Sequence, residues 1–157
     1  MTDNALTIGT LIDNTTRPCD VLPALLDALR EVDAPEYAGQ VVCPPIPAHA
    51  MEDDNAEWWD SEDAHALQLD LEETLADYLP PYTYIGAHPD DGADYGVWVD
   101  HDAIEMDLHD GELQRIDGPG ELDYANTSCA ALHINDHGNL TIYAHDGDRW
   151  SPVLEVV

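Results

Sequence analysis

The sequence predicts an α+β fold: a mostly antiparallel sheet of four or five strands packed against one long acidic helix and one or two shorter helices. Three observations carry the prediction. Leu67, Leu71, Leu75, Tyr78 and Leu79 fall on one helical stripe that Pro80 and Pro81 end. Two β-like runs, Tyr82 to Ala87 and Tyr95 to Asp100, flank the turn-rich stretch 88–94. Three more close the chain, Ala130 to Ile134, Leu140 to His145 and Trp150 to Val156, joined by turns rich in Asp, Asn and Gly.

Taken in chain order, Val21, Leu22, Leu25, Leu26 and Leu29 have helical spacing, with Asp20 placed as a cap and Pro23 tolerable in the first turn. A linker-like stretch begins at Cys43-Pro44-Pro45-Ile46-Pro47 and runs to about Asn55. The long helix is expected from about Ser61 to Leu79, capped by Ser61 or Asp60. Its wheel places Asp63, Asp70, Glu73 and Asp77 on the outward face, with Glu62 and Glu72 beside it. After the hairpin, a brief helix through Ala103, Ile104 and Leu108 ends at Gly111, and Leu113 to Ile116 reads as another strand. Gly118-Pro119-Gly120 is a loop, and the three terminal runs form a meander. The 157 residues suit one domain able to bury its own core. Within it, the prolines would part an N-terminal helical subdomain, 1–55, from an α+β core, 56–157.

Charge narrows the classes of function. Thirty-four acidic residues face four arginines, Arg17, Arg30, Arg115 and Arg149, for a formal net charge of -30, and the chain has no lysine. Most carboxylates must be solvated, because almost none can find an internal cation. Such a field repels nucleic acid and anionic membranes and attracts basic protein surfaces. With 44% hydrophobic residues in periodic runs, the chain is expected to fold all the same. Nowhere are there 18 consecutive apolar residues, and Met1-Thr2-Asp3-Asn4 lacks the basic and apolar regions of a signal peptide, so a cytoplasmic location is expected. Cys19, Cys43 and Cys129 are odd in number and widely spaced, which predicts reduced, buried thiols.

The segment from Tyr84 to Trp98, containing Gly86-Ala87-His88-Pro89-Asp90-Asp91-Gly92-Ala93-Asp94-Tyr95-Gly96, resembles one found in small uncharacterised bacteriophage proteins. Asn135-Asp136-His137-Gly138-Asn139-Leu140-Thr141-Ile142-Tyr143 is similar to a second segment of the same proteins. The resemblance covers about the second half of the chain and implies a phage or mobile-element origin, without implying a mechanism.

Metal chemistry has two candidate clusters, His88 with Asp90, Asp91 and Asp94, and His101 with Glu105 and His109 at steps of four. Neither matches a zinc or calcium signature, and Asp and Gly are ordinary turn residues, so no metal or other cofactor is expected. No GxSxG, HExxH or phosphate-loop pattern occurs, so no catalytic residue is assigned.

The expected role is that of a phage or mobile-element inhibitor which copies nucleic-acid charge and fills the basic groove of a host DNA- or RNA-binding defence complex, such as a CRISPR effector or restriction enzyme. Asp63, Asp70 and Asp77 would stand about 10 Å apart along the helix, with Glu62 and Glu73 between them. Asp53, Asp54, Glu57 and Asp60 extend that row. Asp90, Asp91 and Asp94, with Asp100 and Asp102, supply a second. Trp58 is the candidate apolar anchor of this partner surface, although one of Trp58 and Trp59 is expected in the core. The alternative is a salt-adapted protein of unrelated function, whose acidity keeps it hydrated.

Overall fold

The computed structural model describes residues 5–32 and 46–157, and the chain divides into two compact units. The first comprises residues 1–79 and 83–98, the second residues 80–82 and 99–157. Cys43 and the prolines at 44 and 45 lie outside the described residues.

In the first unit, β1 (Gly9–Ile12) is followed by α1 (Pro18–Glu31), a single turn α2 (Ala48–Met51), a 3-10 turn (Glu57–Asp60) and α3 (Glu62–Ala76). β2 (Thr83–Ala87) and β3 (Tyr95–Val99) then complete a three-stranded sheet of order β1-β3-β2. The core joins the two long helices: Val21, Leu22, Leu25 and Leu29 of α1 meet Leu67, Leu71 and Leu75 of α3, with Trp59 and Val97. Full burial of each such side chain stabilises by about 1.5–3 kcal/mol. The expected boundary at residue 55 therefore falls inside this unit, because the helices on either side of the proline-rich stretch share one apolar interior.

α1 starts three residues earlier than the apolar spacing suggested. Pro18 takes the first helical position, where its fixed φ fits and its missing N–H costs nothing. Asp20 is consequently inside the first turn, not the cap, and accepts from the Thr15 hydroxyl at 2.6 Å. Pro23 lies one turn deeper than expected, so one intrahelical hydrogen bond is lost. α3 begins where the Ser61 side chain accepts from the Ala64 N–H at 3.2 Å, as the capping rule requires. It stops at Ala76, and Tyr78 and Leu79 reach the core from the turn that follows.

β1, which the sequence pattern did not announce, pairs antiparallel with β3, Gly9 against Val97 and Thr10 against Gly96. A Cβ on Gly96 would stand 2.2 Å from the Gly9 carbonyl oxygen, so only glycine permits this approach.

The second unit contains α4 (His101–Asp110), β4 (Leu113–Ile116), a 3-10 turn (Pro119–Tyr124), β5 (Ala130–Ile134), β6 (Leu140–His145) and β7 (Trp150–Val156). Asp100 caps α4 by accepting from the Ala103 N–H, and Gly111 ends it at φ 81°. The meander expected from the sequence is present, β5-β6-β7 antiparallel, and β4 joins it parallel to β5. Its interior is built from Leu113, Leu132, Ile142 and Leu154. The α+β class is as expected, but among the described residues the strands number seven in two sheets, and the four-stranded sheet does not lie in the unit that contains the acidic helix. That helix is also not uniquely long, since α1 has 14 residues to its 15.

Tyr82 has a left-handed φ of 59°, which is uncommon for an aromatic residue. Two contacts hold it: its phenol donates to Asp107 at 2.7 Å, and its carbonyl accepts from the Asp100 N–H at 2.8 Å.

Candidate acidic interface

Leu67, Leu71 and Leu75 commit one face of α3 to the core, so the remaining positions must face outward. Glu62, Asp63, Asp70, Glu73 and Asp77 are all exposed. The helix has no Lys or Arg, and no basic residue occupies its last turn. Glu73 in that turn and Asp77 at its C-cap oppose the helix dipole, whose negative end favours cations.

Glu72 departs from the expected ridge. Its Oε1 accepts from the Tyr95 hydroxyl and, at 2.9 Å, from the Gln68 amide, so it turns toward the sheet. Burial, then the hydrogen bond and charge of Glu72, pushes the Tyr95 phenol well above its ordinary range. A residue that sequence reasoning missed occupies the centre of the outward face: Leu69 is 52% exposed, beside exposed Ala66. Its position opposite the buried leucines on the helical wheel was the available signal.

On the approach to α3, Asp53, Asp54, Glu57 and Asp60 are exposed as expected. A cation joins them, because the Arg17 guanidinium donates to the Asp54 carbonyl at 3.0 Å. Trp59 is the core tryptophan, 5% exposed, with its indole N–H on the Asp53 carbonyl. Trp58 is half-buried against the same core, edge-on to Trp59 with ring centroids 5.2 Å apart, so most of this candidate anchor is spent on packing.

The second row is only partly available. Asp90 and Asp91 are exposed on the 88–94 loop. Asp94 is half-buried, accepts from the Thr10 hydroxyl at 3.2 Å, and encloses its Oδ1 without a partner. Asp100 is consumed by the α4 cap and, with Asp102, belongs to the other unit. In the loop, the His88 ring meets Trp98 edge-on at 4.6 Å and its Nδ1 accepts from the Asp90 N–H, an arrangement that shapes the turn. Among the described residues no three His, Cys, Asp or Glu side chains are gathered as a metal would need.

Cys19 is buried, and burial, followed by the nearby charge of Asp20, raises its thiol pKa. Cys129 is half-buried and, like Cys19, free of any disulfide. Among the described residues no helix is long and apolar enough to cross a membrane.

Comparison with protein-family models, with curated proteins and with solved structures finds no match for this chain.

Proposed function

We propose that the protein is a non-catalytic inhibitor that presents α3 as a substitute for a nucleic-acid backbone, occupying the basic groove of a nucleic-acid-binding defence complex. One observation carries the reading: Asp63, Asp70 and Asp77 recur every seven residues on a firmly capped helix that has no Lys or Arg. At 1.5 Å per residue they stand about 10 Å apart, with Glu62 and Glu73 completing the row. Carboxylates held on a rigid element reach a cationic cleft already ordered, which lowers the entropy cost of association. Asp53, Asp54, Glu57 and Asp60 lengthen the row, and Leu69 adds an apolar contact within it. The phage or mobile-element origin implied by the 84–98 and 135–143 segments belongs to the same proposal.

A second reading, adaptation to high salt, is favoured by one specific observation. Exposed carboxylates are not confined to α3, since Asp102, Glu112, Asp117, Asp123, Asp136 and Asp148 in the second unit are exposed too. Solvation alone would spread charge in this way.

The immobilised chain separates the two. On the inhibitor reading, it recovers from host extract at moderate salt a complex whose DNA or RNA binding it competes away. The triple variant D63N/D70N/D77N loses that competition, and the affinity falls steeply with added salt. Unchanged competition by the triple variant, or a recovered complex whose nucleic-acid binding is undisturbed, would refute α3 as the mimic.

A further inference from the structure

α4 lays buried Ile104 and half-buried Leu108 beside the four-stranded sheet, with exposed His101 and Glu105 next to them at i, i+3, i+4, i+7 spacing along one side of the helix. Two of these four positions are ionisable. On the sheet, the strand register sets Arg115 beside Leu132, and aligns Ile134, Leu140 and Val156 in one row across β5, β6 and β7. Helix and sheet residues together line a cavity of about 310 Å³, at the small end of the range for small-molecule sites. Ile104, Leu132, Leu140 and Val156 give it an apolar interior, and exposed His101, Glu105 and Arg115 edge it.

The charges at that edge are idle. Arg17, Arg30 and Arg149 each engage an oxygen of the protein, at Asp54, Asp27 and Asp146 respectively. In a chain with 34 carboxylates, the Arg115 side chain makes no hydrogen bond or ion pair with any described residue, and neither does that of Glu105. One cation and one anion, both unspent, thus line a single apolar cavity.

We infer that this cavity binds a small zwitterion with an apolar body, of the aliphatic α-amino-acid class. The ligand carboxylate meets the guanidinium of Arg115, its ammonium meets Glu105, and its side chain lies against Leu132, Leu140 and Val156. Charge selects this class. A simple anion is repelled by the field of a -30 protein, while a simple cation finds carboxylates everywhere on the surface and has no reason to prefer this one. A zwitterion is neutral in the long-range field and is oriented by two opposite charges at short range, the guanidinium matching a carboxylate in two parallel hydrogen bonds. The inference does not depend on the inhibitor reading, because it concerns the second unit.

Titration of the full chain with L-leucine, followed by amide proton and nitrogen chemical shifts, tests it. Saturable shifts are expected within 101–108, 113–116 and 132–140, and R115Q or E105Q should each weaken binding on the order of tenfold. Both residues are exposed, so the spectra of the variants also report that the fold is kept. 4-Methylpentanoate and isoamylamine, which each have one of the two charges, are expected to bind at least as much more weakly. The absence of saturable shifts at tens of millimolar leucine, an unchanged affinity in either variant, or equal binding of a singly charged analogue would overturn the inference. D63N/D70N/D77N should bind leucine as the wild type does.

Discussion

The phenolic O–H of Tyr95 on β3 donates to the carboxylate of Glu72 on α3, tying one acid of the charged helix to the sheet of its own unit. Tyr95 is 5% exposed, so the phenyl ring is core and only its hydroxyl serves the carboxylate. Removing the hydroxyl leaves a partly enclosed charge with the Gln68 amide as its remaining donor. Y95F is expected to destabilise by about 1.5–3 kcal/mol, the usual range for a hydrogen bond to a charged group, measured by urea denaturation. E72Q, which keeps an acceptor and removes the charge, should cost less.

At the other end of the electrostatic scale, the whole chain repels itself. Screening shortens the range of that repulsion to about 10 Å at 0.1 M salt, so the denaturation midpoint should rise from low to moderate sodium chloride at pH 7. A midpoint that stays level would mean that the carboxylates are farther apart in the folded chain than their number implies.

The C-terminal end of α3 makes a sharper test, because stability and proposed function pull in opposite directions there. E73Q or D77N removes a negative charge from the negative end of the helix dipole and should stabilise by about 0.3–1 kcal/mol. In the competition experiment the same substitutions should weaken the protein. A gain in stability with no loss of competition would leave the acids of this turn without a partner.

Gly96→Ala is expected to cost about 3 kcal/mol or more, seen as a lower melting midpoint, because its methyl group would collide with the Gly9 backbone and part β1 from β3. Gly92→Ala is the matched control. Its Cβ would meet nothing within 4 Å, and the melting midpoint should hardly move.

Tyr82 gives the chain an alkaline signature. Burial, followed by the hydrogen bond to Asp107, holds its phenol up to about 12, whereas an unfolded tyrosine ionises near 10. Folding therefore favours the neutral phenol, and its contribution is complete below about pH 10 and is lost as the pH climbs to about 12. Denaturation midpoints should fall across this window in the wild type and fall less steeply in Y82F.

The elements the sequence made plain are those whose pattern is local. Ser61 before an apolar stripe marks the start of α3, Gly111 marks the end of α4, and Asp146-Gly147-Asp148 marks the β6–β7 turn; each needs only a few neighbouring residues. β1 escaped because Gly9–Ile12 has too few residues to alternate, and its partner β3 lies more than 80 positions away. The parallel pairing of β4 with β5 was hidden for another reason: the two strands pair only 17 positions apart, but a strand's own apolar pattern does not say in which direction its neighbour runs. In the acidic surface, exposure followed from the helical wheel, while the fates of Glu72 and Asp94 did not. Both were claimed by hydroxyl groups, of Tyr95 and Thr10, that lie far off in sequence.

The interleaving of the two units sets an order on synthesis. Residues 1–79 contain every described helix of the first unit but lack β2 and β3, which arrive only after the chain has already visited the second unit at 80–82. A nascent chain halted at residue 79 would hold α1 and α3 without the strands that close their interior, leaving Leu67 and Leu71 open to chaperones or to other nascent chains. Cutting the gene at that point would thus yield a C-terminal fragment that inherits all of the second unit together with β2 and β3, and an N-terminal fragment that could close the first unit only by regaining those strands in solution.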